Sequence, residues 1–535
     1  MAIWQPPTAP VFPRPDALDW ALKHVESFGD TIFLPHAFEY KAVRHNWTSV
    51  RDWLSQQDMR NWAPRPSRRL LASKTRYSYR YVTQLDPLEH LAFTALIYEI
   101  GPQLESIRVP QTEGVVYSWR FATAADGQMY DSHSRWHHFN TRCLDLAEAR
   151  SCRWVVIADI ADFFPHVYLH PLEQVLDRAT GHNPVAYCIL RLIRNWNALV
   201  SYGLPVGLAG SRILAEAAIS DIDSSLRGSG RKYCRYSDDI RIFCRSEGDA
   251  KRALEDLAML LFNVHGLTLQ PMKTLIVSKT DYANRFATSG ERIELESLTE
   301  KLHDLLEEAG FENDYEEEID YDDLPDEIRE QIDSLNLVQV LDEQIRASNL
   351  DPIVVRFLLY RLRQLSIEGG VRPILKNFNQ LQPVIDSVME YLASLRDVSE
   401  TMRKRIGKAA IAAARKASSG VYQRLCLLSL FSSGREFDNE ERFEKLYNEF
   451  GDAPTRRELI LALGRARATH WFMARRQDYQ SLEPWSRRAF LAAFSCVPAD
   501  ARVPFYRSLR GGADILETAI LKWVADNPFS SSAPP

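Results

Sequence analysis

An apolar run that stops at aspartate, and a pair of adjacent aspartates flanked by apolar and β-forming residues, organise this chain. Trp154-Val155-Val156-Ile157-Ala158 is apolar throughout and ends at Asp159, the pattern of a buried strand that delivers a carboxylate at its tip. Arg235-Tyr236-Ser237-Asp238-Asp239-Ile240-Arg241-Ile242-Phe243 reads as a hairpin with paired carboxylates at the turn. Around them, helical periodicity predicts a helix capped by Asp16 through Phe28, one following Gln84–Glu89 to about Tyr98, and one over 132–150. Further helices are expected from Pro171 to about Leu199, from the Gly-rich loop Tyr202–Arg212 through Asp223, and over 249–264. Residues 114–121 read as a strand, residues 1–16 as a Pro-rich arm, and Trp47, Trp53 and Trp62 as core aromatics. The order predicts an α+β domain with helices on one face of the sheet.

The pattern changes after about residue 285. Glu312–Glu330 holds eleven acidic residues and one arginine, the composition of a linker or loop. From 332 onward helical periodicity dominates, over 353–365, 381–395, 403–416, 421–431, 458–464 and 485–494. The expected division is 1–285, a linker at 286–331, and an all-α domain at 332–535 that is HEAT-like, though without a clean repeat period.

Length and composition (535 residues, 25% charged) suit a multidomain globular protein. A net charge of −6 excludes a chain coated in basic residues, so a polyanion site has to be local. One stretch qualifies: Arg60, Arg65, Arg68, Arg69, Lys74, Arg76 and Arg80 occur without an acid among them, interleaved with Trp62, Tyr77 and Tyr79, as a single strand or a triphosphate would require. The arginines at 456–476 read first as a solvated helix face and second as a nucleic-acid groove. The seven cysteines contain no Cys-x-x-Cys pair, so neither a zinc site nor a disulfide framework is indicated. No signal peptide or membrane-length apolar run is found, which makes the cytoplasm the expected location, with no membrane partner.

Adjacent aspartates repel, and a hard divalent cation, Mg²⁺ or Mn²⁺ in its place, offsets that cost. Asp159 with Asp238 and Asp239 brings carboxylates from two segments, as two-metal nucleotidyl transfer needs. Gly207 and Gly210 let backbone approach a ligand closely. Asp159, the Leu204-Pro205-Val206-Gly207-Leu208-Ala209-Gly210-Ser211 loop and Tyr236-Ser237-Asp238-Asp239, in this order and with Asp159 and Asp238 79 residues apart, resemble the palm of a reverse transcriptase. The resemblance implies that Phe164 lies beneath the incoming sugar and favours deoxynucleoside triphosphates. It also implies that Arg120 grips the triphosphate, and that Lys273, in Gly266–Thr274, serves the leaving pyrophosphate. Asp162 is left without a role. Val206 and Arg212 depart from the retroviral loop and weaken its template-side contacts.

A narrower resemblance, to bacterial abortive-infection and defence-associated reverse transcriptases, rests on several pieces. These are Gly29-Asp30, His45-Asn46-Trp47, Arg80 with Gln84–Leu88, Ser118-Trp119-Arg120-Phe121, Ser211–Glu216 and Lys273-Thr274. It implies a helical domain in place of the thumb, a homo-oligomer, and a single-stranded DNA product that can be made without a template and primed from a protein hydroxyl. Arg80 and Lys74 are the expected nucleotide contacts of the basic stretch. The competing readings are templated RNA-directed DNA synthesis, with RNA as a partner, a palm-type nucleotide cyclase, and a non-catalytic scaffold.

Overall fold

A computed structural model describes residues 6–131, 136–197, 200–288, 330–333, 335–347, 350–396, 398–416, 418–433, 437, 440–509 and 511–529. The acidic stretch of 312–330 lies outside them, save Glu330. In chain order the elements are α1 (Pro15–Phe28), α2 (Glu39–His45), α3 (Trp47–Leu54), β1 (Arg68–Ser73), β2 (Tyr79–Gln84), α4 (Pro87–Ser106) and α5 (Trp136–Glu148). Then follow β3 (Trp154–Asp159), α6 (Phe163–His166), α7 (Leu169–Thr180), α8 (Pro184–Trp196), α9 (Ala209–Ala218), α10 (Ser220–Gly228), β4 (Lys232–Tyr236), β5 (Asp239–Cys244), α11 (Glu247–Leu260), β6 (Leu275–Ser278) and α12 (Lys279–Thr288). The remaining elements are helices: α13 (Leu337–Arg346), α14 (Pro352–Gln364), α15 (Val371–Asn377), α16 (Ile385–Ser394), α17 (Glu400–Ala414), α18 (Val421–Ser433), α19 (Glu440–Glu449), α20 (Ala453–Arg465), α21 (Thr469–Arg475), α22 (Pro484–Ala493), α23 (Ala499–Leu509) and α24 (Ile515–Asp526). Among the described residues no helix is long and apolar enough to cross a membrane.

Two compact units result. The first takes residues 1–32, 48–69 and 82–289, and the second 33–47, 70–81 and 290–535. The first is built on an antiparallel sheet of order β4-β5-β3-β6. Strand β3 is apolar on both sides because both sides are covered, unlike the one-sided layer expected from sequence. Val156 and Ala158 face the main core with α4, α7, α8, α9 and α11, whereas Val155 joins Phe139, Cys143 and Tyr282 of α5 and α12. The outer edge of β4 is closed by irregular backbone: Arg235 N–H donates to the Val115 carbonyl at 2.7 Å, and Tyr117 N–H to the Arg235 carbonyl at 3.1 Å.

Several expectations are corrected at element boundaries. Asp16 does not cap α1; Arg14 occupies the cap position, Pro15 starts the first turn, and Asp16 pairs with the Arg14 guanidinium at 2.9 Å. The long helix of 171–199 is two helices, because Gly181 ends α7 in left-handed conformation and Asn183 caps α8 ahead of Pro184. The helix of 202–223 likewise breaks after Ala218 into α9 and α10. Residues 114–121 form no strand; Trp119 adopts φ 44°, incompatible with an extended ladder.

In the second unit α13, α14, α16, α18, α20, α22 and α24 form a row in which each helix packs on the next, and α2 packs on α24. Gly464 permits the close α20–α22 approach, since a Cβ there would lie 2.5 Å from that of Ala493. Glu39 of α2 is fully buried and held by Arg457 Nη2 at 2.7 Å and Arg488 Nε at 3.3 Å. The arginines of 456–476 form a solvated face only in part, since Arg467 and Arg476 are exposed. Arg457 and Arg465 are buried, and Arg456 and Arg475 lie over the Tyr447 ring.

Candidate active site

The sheet brings the carboxylates together by register. Asp159 at the end of β3 stands opposite Asp239 at the start of β5, and Ile160 N–H donates to the Asp238 carbonyl at 3.1 Å. Ser237 turns the hairpin in left-handed conformation, φ 55°, which presents Asp238 at the tip. Asp159 is 4% exposed, and its carbonyl accepts from Gln270 N–H at 2.7 Å. That bond draws in the loop carrying Lys273, whose Nζ lies 2.6 Å from Asp159 Oδ2.

Negative charge is in surplus here. Burial, then the carboxylates of Asp239 and Asp159, push Asp238 up to about 6. Asp239 is raised as well, mainly by burial, although both terminal nitrogens of Arg241 donate to its Oδ1 at 3.2 Å. Lys273 is held above its ordinary value: burial opposes its charge, but the three carboxylates outweigh that. All the donors are hard carboxylate oxygens, which suits a divalent cation of the Mg²⁺ type. Among the described residues no three His, Cys, Asp or Glu side chains are drawn into a ready-made cage. The cationic side chains of Lys273 and Arg241 occupy two of the carboxylates instead.

Beneath the hairpin lies a network that sequence reasoning did not assign. Arg235 is fully buried between Asp223, at 2.6 Å, and Glu216, at 3.0 Å, and donates to the Ser237 carbonyl at 3.1 Å. Glu216, 0% exposed, also receives Arg108 at 2.8 Å and the Ser118 hydroxyl; Ser118 Oγ in turn accepts from Ser237 N–H at 2.8 Å. Despite burial, the arginines hold Glu216 below its ordinary value. The signal in the sequence was an acid inside the apolar run Ile213-Leu214-Ala215-Glu216-Ala217-Ala218-Ile219, since a charge in such a setting requires a partner.

Other expected site residues land elsewhere. Arg120 is 2% exposed and bonds Glu105 at 2.7 Å and the carbonyls of Val109 and Val116, so its guanidinium is consumed inside the fold rather than offered to a triphosphate. Gly210 packs against α4, where a Cβ would sit 2.8 Å from the Phe93 ring; close helix packing, not ligand approach, explains it. Gly207 holds φ 110°, a conformation only glycine adopts readily, and the neighbouring Val206 carbonyl accepts from Thr83 N–H at 2.9 Å. Phe164 is half-buried on the short helix after Asp159, edge-on to Phe163, and its carbonyl accepts from Leu204 N–H of the Leu-Pro loop at 2.9 Å. Asp162 precedes that helix in left-handed conformation, φ 41°.

The basic stretch divides. Arg60 is spent on Asp58, Arg65 on Asp86 and Arg68 on Gln84. Lys74, Arg76 and Arg80 belong to the tip of the β1–β2 ribbon, which is counted with the second unit; there Arg76 lies over Tyr77 and Arg80 over Phe33.

Residues 125–309 match a family model described as "Reverse transcriptase (RNA-dependent DNA polymerase)". The chain carries a reverse-transcriptase domain. It is a nucleotidyltransferase, built as an α+β domain followed by a largely helical region. Among solved structures, a telomerase from Candida albicans in complex with a fragment of telomeric RNA covers 84% of this chain and 70% of its own, at 12% identity and a TM-score of 0.30. An apo telomerase from Candida tropicalis covers 79% and 69%, at 9% identity and a TM-score of 0.30. Likeness at that level says nothing further of this chain. No curated protein matches.

Proposed function

We propose that this reverse transcriptase joins deoxynucleotides at Asp159, Asp238 and Asp239, that it needs no template, and that it starts from one of its own hydroxyls. The observation that carries the reading is the register of Asp159 against Asp239 with Asp238 at the adjoining tip, three repelling carboxylates of which Lys273 and Arg241 answer only two. They would hold divalent cations, Mg²⁺ or Mn²⁺, which when bound supply Lewis acidity to the oxygens of an in-line phosphoryl displacement. In that reaction a hydroxyl oxygen bonds to the α-phosphorus of a deoxynucleoside triphosphate, pyrophosphate leaves, and the hydroxyl proton is lost. Lys273, half-exposed beside Asp159, is placed to give a proton to the leaving group. Phe164 supports selection of deoxynucleotides, as its half-buried ring follows closely on Asp159.

Template independence is supported by what the Leu-Pro loop does with its departures. The Arg212 guanidinium lies 4.1 Å from the centre of the Trp119 ring, and the Val206 carbonyl is taken by Thr83. Priming by tyrosine is favoured over serine because a phenol ionises near pH 10. Tyr77, Tyr79, Tyr81 and Tyr168 are exposed, whereas burial pushes Tyr117 and Tyr130 up to about 12. The sequence resemblance adds a role in phage defence and a homo-oligomer, while composition and helical periodicity add a cytoplasmic location, a catalytic domain at 1–285, a linker at 286–331 and a HEAT-like helical domain at 332–535.

The test is incubation of purified protein with Mg²⁺ and each deoxynucleoside triphosphate, without nucleic acid, followed by a denaturing gel with and without protease. Labelled DNA should stay on the protein until protease frees it. Synthesis that requires an added RNA and copies its sequence would return the chain to templated reverse transcription, and a small cyclic product would make it a cyclase.

A further inference from the structure

Among the described residues, every exposed tyrosine of the second unit lies on the β1–β2 ribbon. Tyr77 at the turn is 81% exposed, Tyr79 54% and Tyr81 52%, and Leu71 of the neighbouring strand is 45% exposed. Side chains of a strand alternate between its faces, so Leu70 and Ala72 are buried while Leu71, Tyr79 and Tyr81 are turned to water. The ribbon itself is anchored. Ser73 Oγ accepts from Gln423 Nε2 of α18 at 2.8 Å, the Arg80 guanidinium lies 5.3 Å from the Phe33 ring, and Lys74 N–H closes the turn on the Ser78 carbonyl at 2.8 Å. A fixed ribbon has no packing use for three rings and a leucine in water, because each would gain by leaving it. Charge narrows what could cover them. Lys74, Arg76 and Arg80 stand among these rings, and no aspartate or glutamate occurs between Asp58 and Asp86.

We propose that the exposed face of the β1–β2 ribbon binds single-stranded DNA, with bases against Tyr79 and Tyr81 and phosphates beside Lys74 and Arg76. The required partner is a polyanion that also offers flat apolar faces, and a single strand offers both. A duplex keeps the faces of its bases inside its own stack. An acidic peptide answers the charge but not a row of rings, and a second copy of this chain would set the same cations against one another across a two-fold contact. Tyr79 and Tyr81 are about 6.6 Å apart along β2, which leaves each ring room for a base. That the strand is DNA and not RNA rests on the template-free reading, under which the polymer formed is DNA and no RNA template is held.

Fluorescence anisotropy of a labelled oligo(dT) with the full chain, in EDTA so that nothing is polymerised, measures the contact. Tyr79→Ala combined with Tyr81→Ala should weaken binding roughly tenfold or more. Tyr79→Phe combined with Tyr81→Phe should leave it unchanged, because stacking needs the ring, whereas priming would need the hydroxyl. Arg76→Gln should weaken binding and lower its salt dependence by about one counterion. An oligo(dT) carrying 5-iododeoxyuridine should crosslink within 71–81 of the parent protein, a readout that does not depend on any variant folding. Undiminished binding by the alanine pair, loss in the phenylalanine pair, or crosslinks confined to other residues would each overturn the proposal. If the parent makes protein-linked DNA yet binds oligo(dT) indifferently to these tyrosines, this inference fails and the template-free reading stands. Tighter binding of oligo(rU) than of oligo(dT), with no DNA made in the nucleic-acid-free incubation, would overturn both.

Discussion

Two charged clusters flank the β4–β5 hairpin, and they are built on opposite principles. Behind the hairpin, Glu216 and Asp223 face Arg108 and Arg235, two acids against two bases, fully buried and hydrogen-bonded. At its tip, Asp159, Asp238 and Asp239 exceed the cations beside them, and Asp238 is destabilised as an anion. The balanced cluster fixes the Ser237 backbone through Arg235 and Ser118. The unbalanced one is thereby held in a geometry it would not adopt by itself. The comparison teaches where rigidity comes from: the repelling carboxylates stay together because a neutralised network a few residues away clamps the turn that carries them.

Four experiments would break or sharpen that contrast. The largest effect is expected from Asp238→Ala, which should lower nucleotide incorporation by roughly 10⁴-fold, about 5 kcal/mol of barrier, with no loss of folding stability; unfolded protein, or activity within tenfold of the parent, would contradict it. Next, Glu216→Ala should cost about 3–5 kcal/mol in urea unfolding because it removes the buried carboxylate that Arg108 and Arg235 share. Glu216→Gln should lose less stability than the alanine variant.

The third concerns pH in EDTA. Asp238 titrates near 6 in the folded protein against an ordinary 3.8, so the folded state takes up this proton before the unfolded chain does. Below about pH 3 both states hold it and no penalty exists. As pH rises toward 6 the unfolded chain ionises while the folded site resists, so stability falls through that window and stays lower above it. The loss should be on the order of 1–2 kcal/mol, reduced by the site's partial exposure. It should be absent in Asp238→Asn, and a parent that gains stability across pH 4–6 relative to that variant would refute the surplus of negative charge. The smallest effect is Phe164→Val, which should let ribonucleotides compete several-fold better, about 1 kcal/mol of discrimination. Unchanged competition would mark the ring as packing alone.

The sheet was legible in the sequence because its strands bury two faces or turn sharply. Trp154–Asp159 and the Asp238-Asp239 hairpin are where periodicity placed them, and Lys273 lies beside Asp159 as the family resemblance implied. What was not legible depends on long-range partners. Val115-Val116-Tyr117 looks like a strand locally, yet the chain turns at Trp119, whose ring is tilted against Tyr130 and covered by the Arg212 guanidinium. Arg120 reads as an available cation until Glu105, fifteen residues earlier, claims it, and Arg457 until Glu39 does. No local pattern names the acid that will meet a given arginine. The split between α7 and α8 was overlooked because apolar periodicity continues across Gly181, although Gly181 and Pro184 were both readable as breaks.

The backbone of 115–117 lying along β4 has a consequence for crowded solution. A bare outer strand offers a ladder of amides to any extended chain that drifts past, the usual start of sheet-to-sheet aggregation. Here that ladder is already engaged at Arg235 by segment 115–117, and the opposite margin, β6, is only four residues long. The domain therefore protects its sheet with an irregular strip of its own chain, and substitutions that pull Val115 or Val116 away should show first as clumping on concentration, before any fall in melting temperature.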